Sequence, residues 1–184
     1  EWKTDSRSAV AGALPAEDMP RIRRTDYVTN SNDSYWLANP DAPLEGYSPI
    51  IGPERTVRTL RTRAGLNFIQ QKLAEKSKLG PQDLQDIIYS QRNYGAEILL
   101  DDVLELCANS NEPVLLDGAS VDIIPVCVAL AGWDRRHGID SRGAQVWTEF
   151  WRVARNIPNV YAVPFDVDDP VHTPTGIAVA DAEI

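Results

Sequence analysis

Prolines and glycines follow one another so closely between residues 37 and 53 that this stretch can form neither a regular helix nor a central strand. Proline lacks the backbone N–H that helices and sheets use, and its ring clashes with the preceding helical turn. The breakers are Pro40, Pro43, Gly46, Pro49, Gly52 and Pro53. We therefore predict an ordered, irregular loop. Its apolar side chains would hold it against a surface: Leu44, Tyr47, Ile50 and Ile51.

A polar run just before this loop is where we predict the chemistry of the chain. Residues 27–29 favour a β-strand, and residues 30–34 are a block of Asn, Asp and Ser. Polar side chains at a strand end are well placed to act on a ligand. The amide of Asn32 is a neutral donor that can be aimed at developing negative charge. Ordinary turns also use these residue types, because Asn and Asp bond their own backbone.

Helical periodicity begins at Pro53 and continues to about residue 156. Pro53 suits a first helical turn, and Val57, Leu60 and Ala64 recur on one face. A helix through residues 67–76 ends before Gly80, and Pro81 begins the next one. The predicted inner positions of the following helices are Leu84, Ile87, Ile88 and Gln91, then Leu99, Val103 and Leu106.

The last helices are distinguished by their apolar content. Residues 123–131 are apolar nearly all round, which predicts a fully buried helix after a turn-rich break at residues 111–118. The final helix would be capped by Asp140 or Ser141, and its aromatic stripe is more typical of a core than of a ligand pocket. That stripe comprises Val146, Trp147, Phe150, Trp151 and Ala154.

The chain becomes extended again after residue 156, with a strand-like run over residues 160–165. The whole sequence is thus a helix-rich α+β segment in three parts. Residues 1–52 hold a strand and irregular loops, residues 53–156 are helical, and residues 157–184 are extended.

Composition excludes some classes of partner. The net charge is −9, whereas binding to nucleic acid needs clustered Lys and Arg. The longest uncharged apolar run, residues 123–133, is far shorter than the roughly 20 residues that span a bilayer. We expect neither a nucleic-acid nor a membrane partner.

Metal and nucleophile motifs are scarce. The chain has two Cys and two His, and no C-x-x-C spacing that would indicate zinc. His137 and His172 have no Ser or Cys at motif spacing, so neither is predicted to be catalytic. Asp166, Asp168 and Asp169 lack the Gly and terminal Glu of an EF-hand, which favours a solvated acidic loop.

Arginines crowd the predicted first helix at positions 55, 58, 61 and 63. Like charges at this spacing repel, so we expect an anionic group to offset them, either a neighbouring carboxylate or a group on the substrate side. In a chain this acidic, we expect salt bridges for Arg58 and Arg63.

Several ordered blocks of the sequence resemble the penicillin acylase family of N-terminal-nucleophile hydrolases. They are residues 30–37 (NSNDSYWL), 43–52 (PLEGYSPIIG), 60–66 (LRTRAGL), 127–134 (CVALAGWD) and 140–144 (DSRGA). The likeness runs from about residue 27 to residue 176. It is closest to the branch of acyl-homoserine lactone, aculeacin and penicillin V acylases.

This resemblance implies a fold and a reaction. The parent protein would be an αββα sandwich that hydrolyses the amide of N-acyl compounds through an acyl-enzyme on an N-terminal Ser. Because the chain begins with Glu1, we expect an internal segment of the catalytic β subunit, with its partners being the other α and β segments of the precursor. Such a chain alone would hydrolyse nothing. The substrate would be a small N-acyl molecule.

The resemblance also assigns roles to residues. Asn32 would donate to the oxyanion, and an Arg about two dozen positions later would orient it. Arg55 lies 23 positions after Asn32 and is our first choice, with Arg61, 29 positions after it, as the reserve. Tyr35 and Trp36 would either line a substrate pocket or pack beneath the turn.

Other implications concern compartment, cysteines and metals. Family members are commonly exported, so we expect a secreted or periplasmic protein. Export leaves two alternatives equally open for Cys107 and Cys127, a disulfide bridge or two small buried thiols. We predict that their Cα atoms lie within about 7 Å, close enough to bridge. No cofactor is expected; calcium is the alternative, since some family members bind it, although their calcium ligands do not map cleanly onto this chain. The competing hypothesis is a helical binding or scaffold module that keeps acylase-like packing without activity.

Overall fold

Helices joined by irregular loops and two small sheets make up the protein. The computed structural model describes residues 5–109, 113–116 and 118–178. The helices in these residues are α1 (Leu60–Glu75), α2 (Pro81–Tyr89), α3 (Tyr94–Asn109), α4 (Ile124–Ala131) and α5 (Ala144–Ala154). The strands are β1 (Val114–Leu116), β2 (Ala119–Val121), β3 (Tyr161–Val163) and β4 (Thr175–Ile177). The predicted α+β class is confirmed, while the αββα sandwich stays a prediction.

The chain divides into two compact units, with the boundary inside α1 between Asn67 and Phe68. The first unit contains the predicted irregular loop, and this prediction is confirmed, because no helix or strand occurs between residues 38 and 59. Trp36 and Leu37, in a 3₁₀ turn over Tyr35–Leu37, are buried inside that unit. Ile50, predicted to pack inward, is instead 67% exposed.

The second unit is built on a core of α3, α4, α5 and β4 side chains. Its buried members are Ala96, Leu99, Leu100, Val103, Leu130, Trp133, Trp147 and Ile177. The rings of Trp147 and Trp151 stack with centroids 6.0 Å apart. The aromatic stripe of the last helix is therefore core, as predicted. The predicted inner positions Leu99 and Val103 are confirmed as well.

Gly143 determines how the last helix begins. Its φ of +106° is a conformation that L side chains rarely adopt, and a Cβ there would lie 2.7 Å from Cβ of Trp133. The carbonyl of Gly143 accepts the N–H of Trp147 at 2.9 Å. The predicted cap by Asp140 or Ser141 is wrong, because the Ser141 hydroxyl donates to Asp134 instead.

Both sheets are antiparallel pairs. Strands β1 and β2 form a hairpin with Val114 opposite Val121, where the sequence predicted only a turn-rich break. Residues 110–112 and 117 of that break lie outside the described residues. Strand β3 confirms the predicted extended run and pairs with β4, with Tyr161 opposite Ile177. The backbone N–H of Ile177 donates to the Asp102 carboxylate at 2.7 Å, which anchors β4 to α3.

Two boundaries near the polar turn differ from the sequence predictions. Residues 27–29 form no strand, because their backbone bonds to a loop: the N–H of Thr29 donates to the carbonyl of Ala38 at 2.8 Å. The helix predicted from Pro53 begins only at Leu60, because Arg55 has a φ of +55° that no right-handed helix accommodates. Thr59 caps α1 by accepting the N–H of Thr62 on its hydroxyl at 3.2 Å.

Two predictions of burial are also wrong. Leu84 and Ile88 of α2 are 47% and 71% exposed, and Gln91 is exposed as well. In α4, Ile124 and Val128 are 61% and 66% exposed, so this helix is not fully buried. Periodicity shows which side chains share a face of a helix. It does not show whether that face is covered.

A disulfide joins α3 to the helix that follows the hairpin. Cys107 and Cys127 are bridged, with their Cα atoms 5.8 Å apart, which confirms the predicted proximity. Within the described ranges, the helices are all too short or too polar to cross a membrane.

Candidate functional site

The polar turn at residues 30–34 is held in a specific shape by its own side chains. The amide oxygen of Asn30 accepts the backbone N–H of Asn32 at 2.7 Å. Asn32 has a φ of +53°, a left-handed conformation that Asn tolerates better than most residues. Its side chain is exposed. The turn thus presents Asn32 outward from a backbone that is fixed behind it.

Arg61, in the first turn of α1, holds the side chain of Asn32. Nη1 of Arg61 donates to Oδ1 of Asn32 at 3.3 Å, and Nη2 donates to the carbonyl of Ser31. The guanidinium therefore binds the oxygen end of the amide. Within the part of the chain that the structure describes, nothing accepts a hydrogen bond from Nδ2 of Asn32. This nitrogen can donate to a ligand.

Arg55 lies apart from this contact. It belongs to the loop before α1, and its Nη1 donates to both carboxylate oxygens of Glu45, at 3.2 and 3.3 Å. The structure thus brings Asn32 together with Arg61, the reserve choice. Arg55, the first choice, binds an acidic residue of the irregular loop. Arg55 was the first choice because its separation of 23 positions from Asn32 fits the spacing implied by the resemblance better than the 29 positions of Arg61.

Asp33 ties the same turn to α1 from the other side of Asn32. One carboxylate oxygen accepts Nη1 of Arg58 and the N–H of Ser34, both at 2.7 Å. The other accepts the hydroxyl of Thr62 at 2.6 Å. Partial burial alone would raise the pKa of Asp33, but these hydrogen bonds and the Arg58 charge outweigh it and lower the pKa. The carboxylate is therefore ionised at neutral pH.

The sequence predicted a salt bridge for Arg58 but not its partner. That prediction is confirmed, since the Arg58 side chain is only 3% exposed and pairs with Asp33. Arg63 is buried as well. The involvement of Asp33 and Thr62 was missed. A signal for Asp33 was present, because it adjoins Asn32 in the polar block and a buried Arg requires a carboxylate nearby.

Trp36 and Tyr35 both bond to acidic residues of the loop. Trp36 is 1% exposed, and its indole N–H donates to Glu45 at 2.8 Å. The Tyr35 hydroxyl donates to Glu54, which also accepts the backbone N–H groups of Gly46 and Tyr47 at 2.8 and 2.9 Å. Burial and the neighbouring Glu54 charge raise the pKa of Tyr35 to about 12. Packing is thus established for Trp36.

The remaining candidate groups belong to the second unit. Asp166 accepts the N–H of Asp168 at 2.9 Å, and Asp169 pairs with Nδ1 of His172 at 2.6 Å. The side chain of His137 contacts Asn93 at 2.7 Å. Among the residues that the structure describes, His, Cys, Asp and Glu do not form a group of three or more that could hold a metal ion. A cavity of about 560 Å³ is lined by residues between Phe68 and Arg136, and it contains none of the predicted site residues.

Comparison with known proteins defines the class of this chain. The model of the penicillin amidase family matches residues 1–181. The chain therefore belongs to the penicillin amidase family.

The similar proteins are acylases. Aculeacin-A acylase of Actinoplanes utahensis is 45% identical over 175 residues, which cover 92% of this chain and 22% of that protein. Acyl-homoserine lactone acylase PvdQ of Pseudomonas putida is 35% identical over 185 residues, covering 100% of this chain and 22% of the relative. The PvdQ of Pseudomonas syringae pv. syringae is 32% identical, with 23% of its length covered. The chain thus spans about a fifth of the length of these relatives.

Proposed function

We propose that this chain is part of an acylase that hydrolyses the amide bond between an acyl chain and an amine. Asn32 would be a catalytic residue, with Nδ2 donating to the carbonyl oxygen as negative charge develops on it. The observation that carries the proposal is the hydrogen bond from Arg61 to Oδ1 of Asn32. By holding the oxygen end of the amide, Arg61 directs the N–H₂ end toward a ligand.

The geometry suits an oxyanion donor for a physical reason. A neutral amide that is fixed before the reaction stabilises the tetrahedral intermediate more than the uncharged ground state, because the charge appears only during the attack. An amide that rotated freely would first have to be ordered. Arg61 and the hydrogen-bonded turn at Asn32 supply this order beforehand.

The nucleophile in this proposal is the N-terminal Ser of a catalytic subunit, contributed by another segment of the acylase precursor. Its α-amino group would serve as the base, and attack on the amide would give an acyl-enzyme that water then hydrolyses. The amine leaves in the first step and the carboxylic acid in the second. We also propose that the acylase is secreted or periplasmic, which the Cys107–Cys127 bridge supports.

The reaction is tested by incubating the enzyme made from the complete reading frame with N-acyl homoserine lactones of several chain lengths and with penicillin V. We expect release of free homoserine lactone and fatty acid, detected as a primary amine and by mass. The Asn32→Ala enzyme serves as the matched control.

Two outcomes would contradict the proposal. Opening of the lactone ring with the amide intact would indicate a lactonase. Absence of any amide cleavage with correctly processed enzyme would favour a non-catalytic scaffold module.

A further inference from the structure

The carboxylate of Asp33 accepts hydrogen bonds from residues around the start of α1 and from its own turn. Arg58 and Thr62 approach it from the residues around the helix start, at 2.7 and 2.6 Å, and the N–H of Ser34 completes the set at 2.7 Å. The Asp33 side chain is only 19% exposed. An ionised, largely enclosed carboxylate with donors on both oxygens has little freedom to move.

Arg58 is fixed as firmly as its partner. Its Nε donates to the carbonyl of Thr56 at 3.0 Å, and Nη2 donates to the hydroxyl of the same residue. The guanidinium carbon lies 5.6 Å from the ring centroid of buried Trp36. A cation over an aromatic face gains further stabilisation when it is shielded from water. Asp33 is thus bound to a part of the first unit that cannot easily shift.

The contacts of Asp33 and those of Arg61 lie on the two sides of Asn32. Arg61 binds the carbonyl of Ser31 before Asn32, whereas Arg58 and Thr62 bind the carboxylate of Asp33 after it. Both sets come from residues 58–62. The left-handed backbone at Asn32, which Asn tolerates better than most residues, therefore has contacts to residues 58–62 on both sides of it.

We propose that Asp33, Arg58 and Thr62 form a positioning group that fixes the turn carrying Asn32 and so holds Nδ2 in the direction needed for oxyanion binding. None of the three would touch the substrate. This inference rests on the proposed function of Asn32 and deepens it, because it says how the fold keeps the donor in place.

The test uses the enzyme made from the complete reading frame and compares kcat with KM. We expect Asp33→Asn and Thr62→Val each to lower kcat by about tenfold while KM changes by less than about twofold. Thr62→Ser keeps the hydroxyl and should restore kcat to within about twofold of wild type. Asp18→Asn is the control, since it breaks an exposed 2.8 Å ion pair with Arg7 far along the chain from the turn. We expect it to leave kcat unchanged.

A double-mutant cycle separates positioning from general stabilisation. If Asp33 acts through Asn32, then Asp33→Asn added to Asn32→Ala should lower kcat by less than about a further twofold. A full additional loss of about tenfold would overturn the positioning role. So would a normal kcat in both Asp33→Asn and Thr62→Val. If Asp33→Asn fails to fold, the comparison of Thr62→Val with Thr62→Ser decides, because Val replaces the hydroxyl with a methyl group whereas Ser keeps it.

Asn32→Ala tests the donor role of Asn32, and Asp33→Asn tests the positioning role of Asp33 separately. If Asn32→Ala retains normal kcat, then Asn32 is no oxyanion donor and the proposed function fails at its centre. If Asn32→Ala lowers kcat while Asp33→Asn and Thr62→Val both keep a normal kcat, or while Asp33→Asn lowers kcat additively, only the positioning group is contradicted.

Discussion

Among single residues, Arg61 is the one whose removal should disturb Asn32 most directly. Its guanidinium binds both the side chain of Asn32 and the carbonyl of Ser31. We expect Arg61→Ala in the complete enzyme to lower kcat by about tenfold. This is the size of effect that follows when Asn32 loses the charged hydrogen bond that orients its side chain. Steady-state kinetics on correctly processed enzyme would measure it.

Arg55→Ala is the matched comparison for that substitution. Arg55 binds Glu45 through an exposed ion pair, and such pairs contribute little. We expect its kcat to stay within about threefold of wild type. A larger loss in Arg55→Ala than in Arg61→Ala would contradict the geometry described for Asn32 and return the role to Arg55.

The ionised state of Asp33 gives stability a defined pH dependence. Its pKa is lowered in the folded protein, so the folded state favours the carboxylate more than the unfolded chain does. The resulting stabilisation is complete above the unfolded pKa, near 3.9, and is lost as the pH falls through the folded pKa. We expect the difference in Tm between wild type and Asp33→Asn to be constant at neutral pH and to narrow below about pH 4. A difference in Tm that widened as the pH fell would contradict a lowered pKa of Asp33 in the folded protein.

At the scale of elements, the start of α5 depends on Gly143. Gly143→Ala would combine the cost of a left-handed backbone with a clash against Trp133, and we expect the free energy of unfolding to fall by about 3 kcal/mol. Gly118→Ala is the control, since Gly118 has a φ of +81° and open space around it. It should cost about 1 kcal/mol. Equal losses would mean that the packing against Trp133 contributes nothing.

The disulfide between α3 and α4 should stabilise the second unit. Cys107 and Cys127 are 20 positions apart, and closing a loop of this length is worth about 3 kcal/mol in the chain-entropy model. We expect Cys107→Ala combined with Cys127→Ala to lower the guanidinium midpoint, followed by the fluorescence of the core tryptophans. Wild-type protein treated with dithiothreitol should show the same midpoint. An unchanged guanidinium midpoint in both the double variant and the reduced wild type would mean that the bridge does not stabilise the protein.

The sequence predicted the elements better than their boundaries. Pro81 began a helix as expected, and the apolar stripe around Trp147 is core, because a proline at a first turn and a helical repeat of aromatics both act locally. The start of α1 depended instead on the left-handed conformation of Arg55, which no propensity foretells for an arginine. Leu84 was predicted to be buried from periodicity and Ile124 from a helix that is apolar nearly all round, but neither pattern shows whether another surface covers the helix.

The candidate site could be predicted from the sequence only in part. Asn32 followed from a polar block and from the resemblance, both visible in the sequence. Its contact with Arg61 required the helix to begin at Leu60, so that Arg61 sits in the first turn and Arg55 remains in the loop. The ties from Asp33 to Arg58 and Thr62 join residues 25 and 29 positions apart, and no local pattern specifies such pairs.

For the protein as a whole, the proposed reaction needs a nucleophile as well as an oxyanion donor. The chain spans about a fifth of the length of its relatives, and the proposed nucleophile belongs to another segment. In that enzyme, Asn32 has to face the scissile carbonyl together with the N-terminal Ser. In the proposed enzyme, this chain would contribute an oxyanion donor that is held in place.

The kcat of Asn32→Ala in the complete enzyme tests most directly whether Asn32 is the oxyanion donor. Removing one oxyanion donor typically costs about 100- to 1,000-fold, or roughly 3 to 4 kcal/mol. Chain processing is first checked by mass, so that only mature enzyme is compared. We predict a kcat at least about 100-fold below that of wild type, with the protein folded. A correctly processed Asn32→Ala enzyme with near-normal kcat would contradict the oxyanion role of Asn32. Asn30 would then be the next residue to test as the donor.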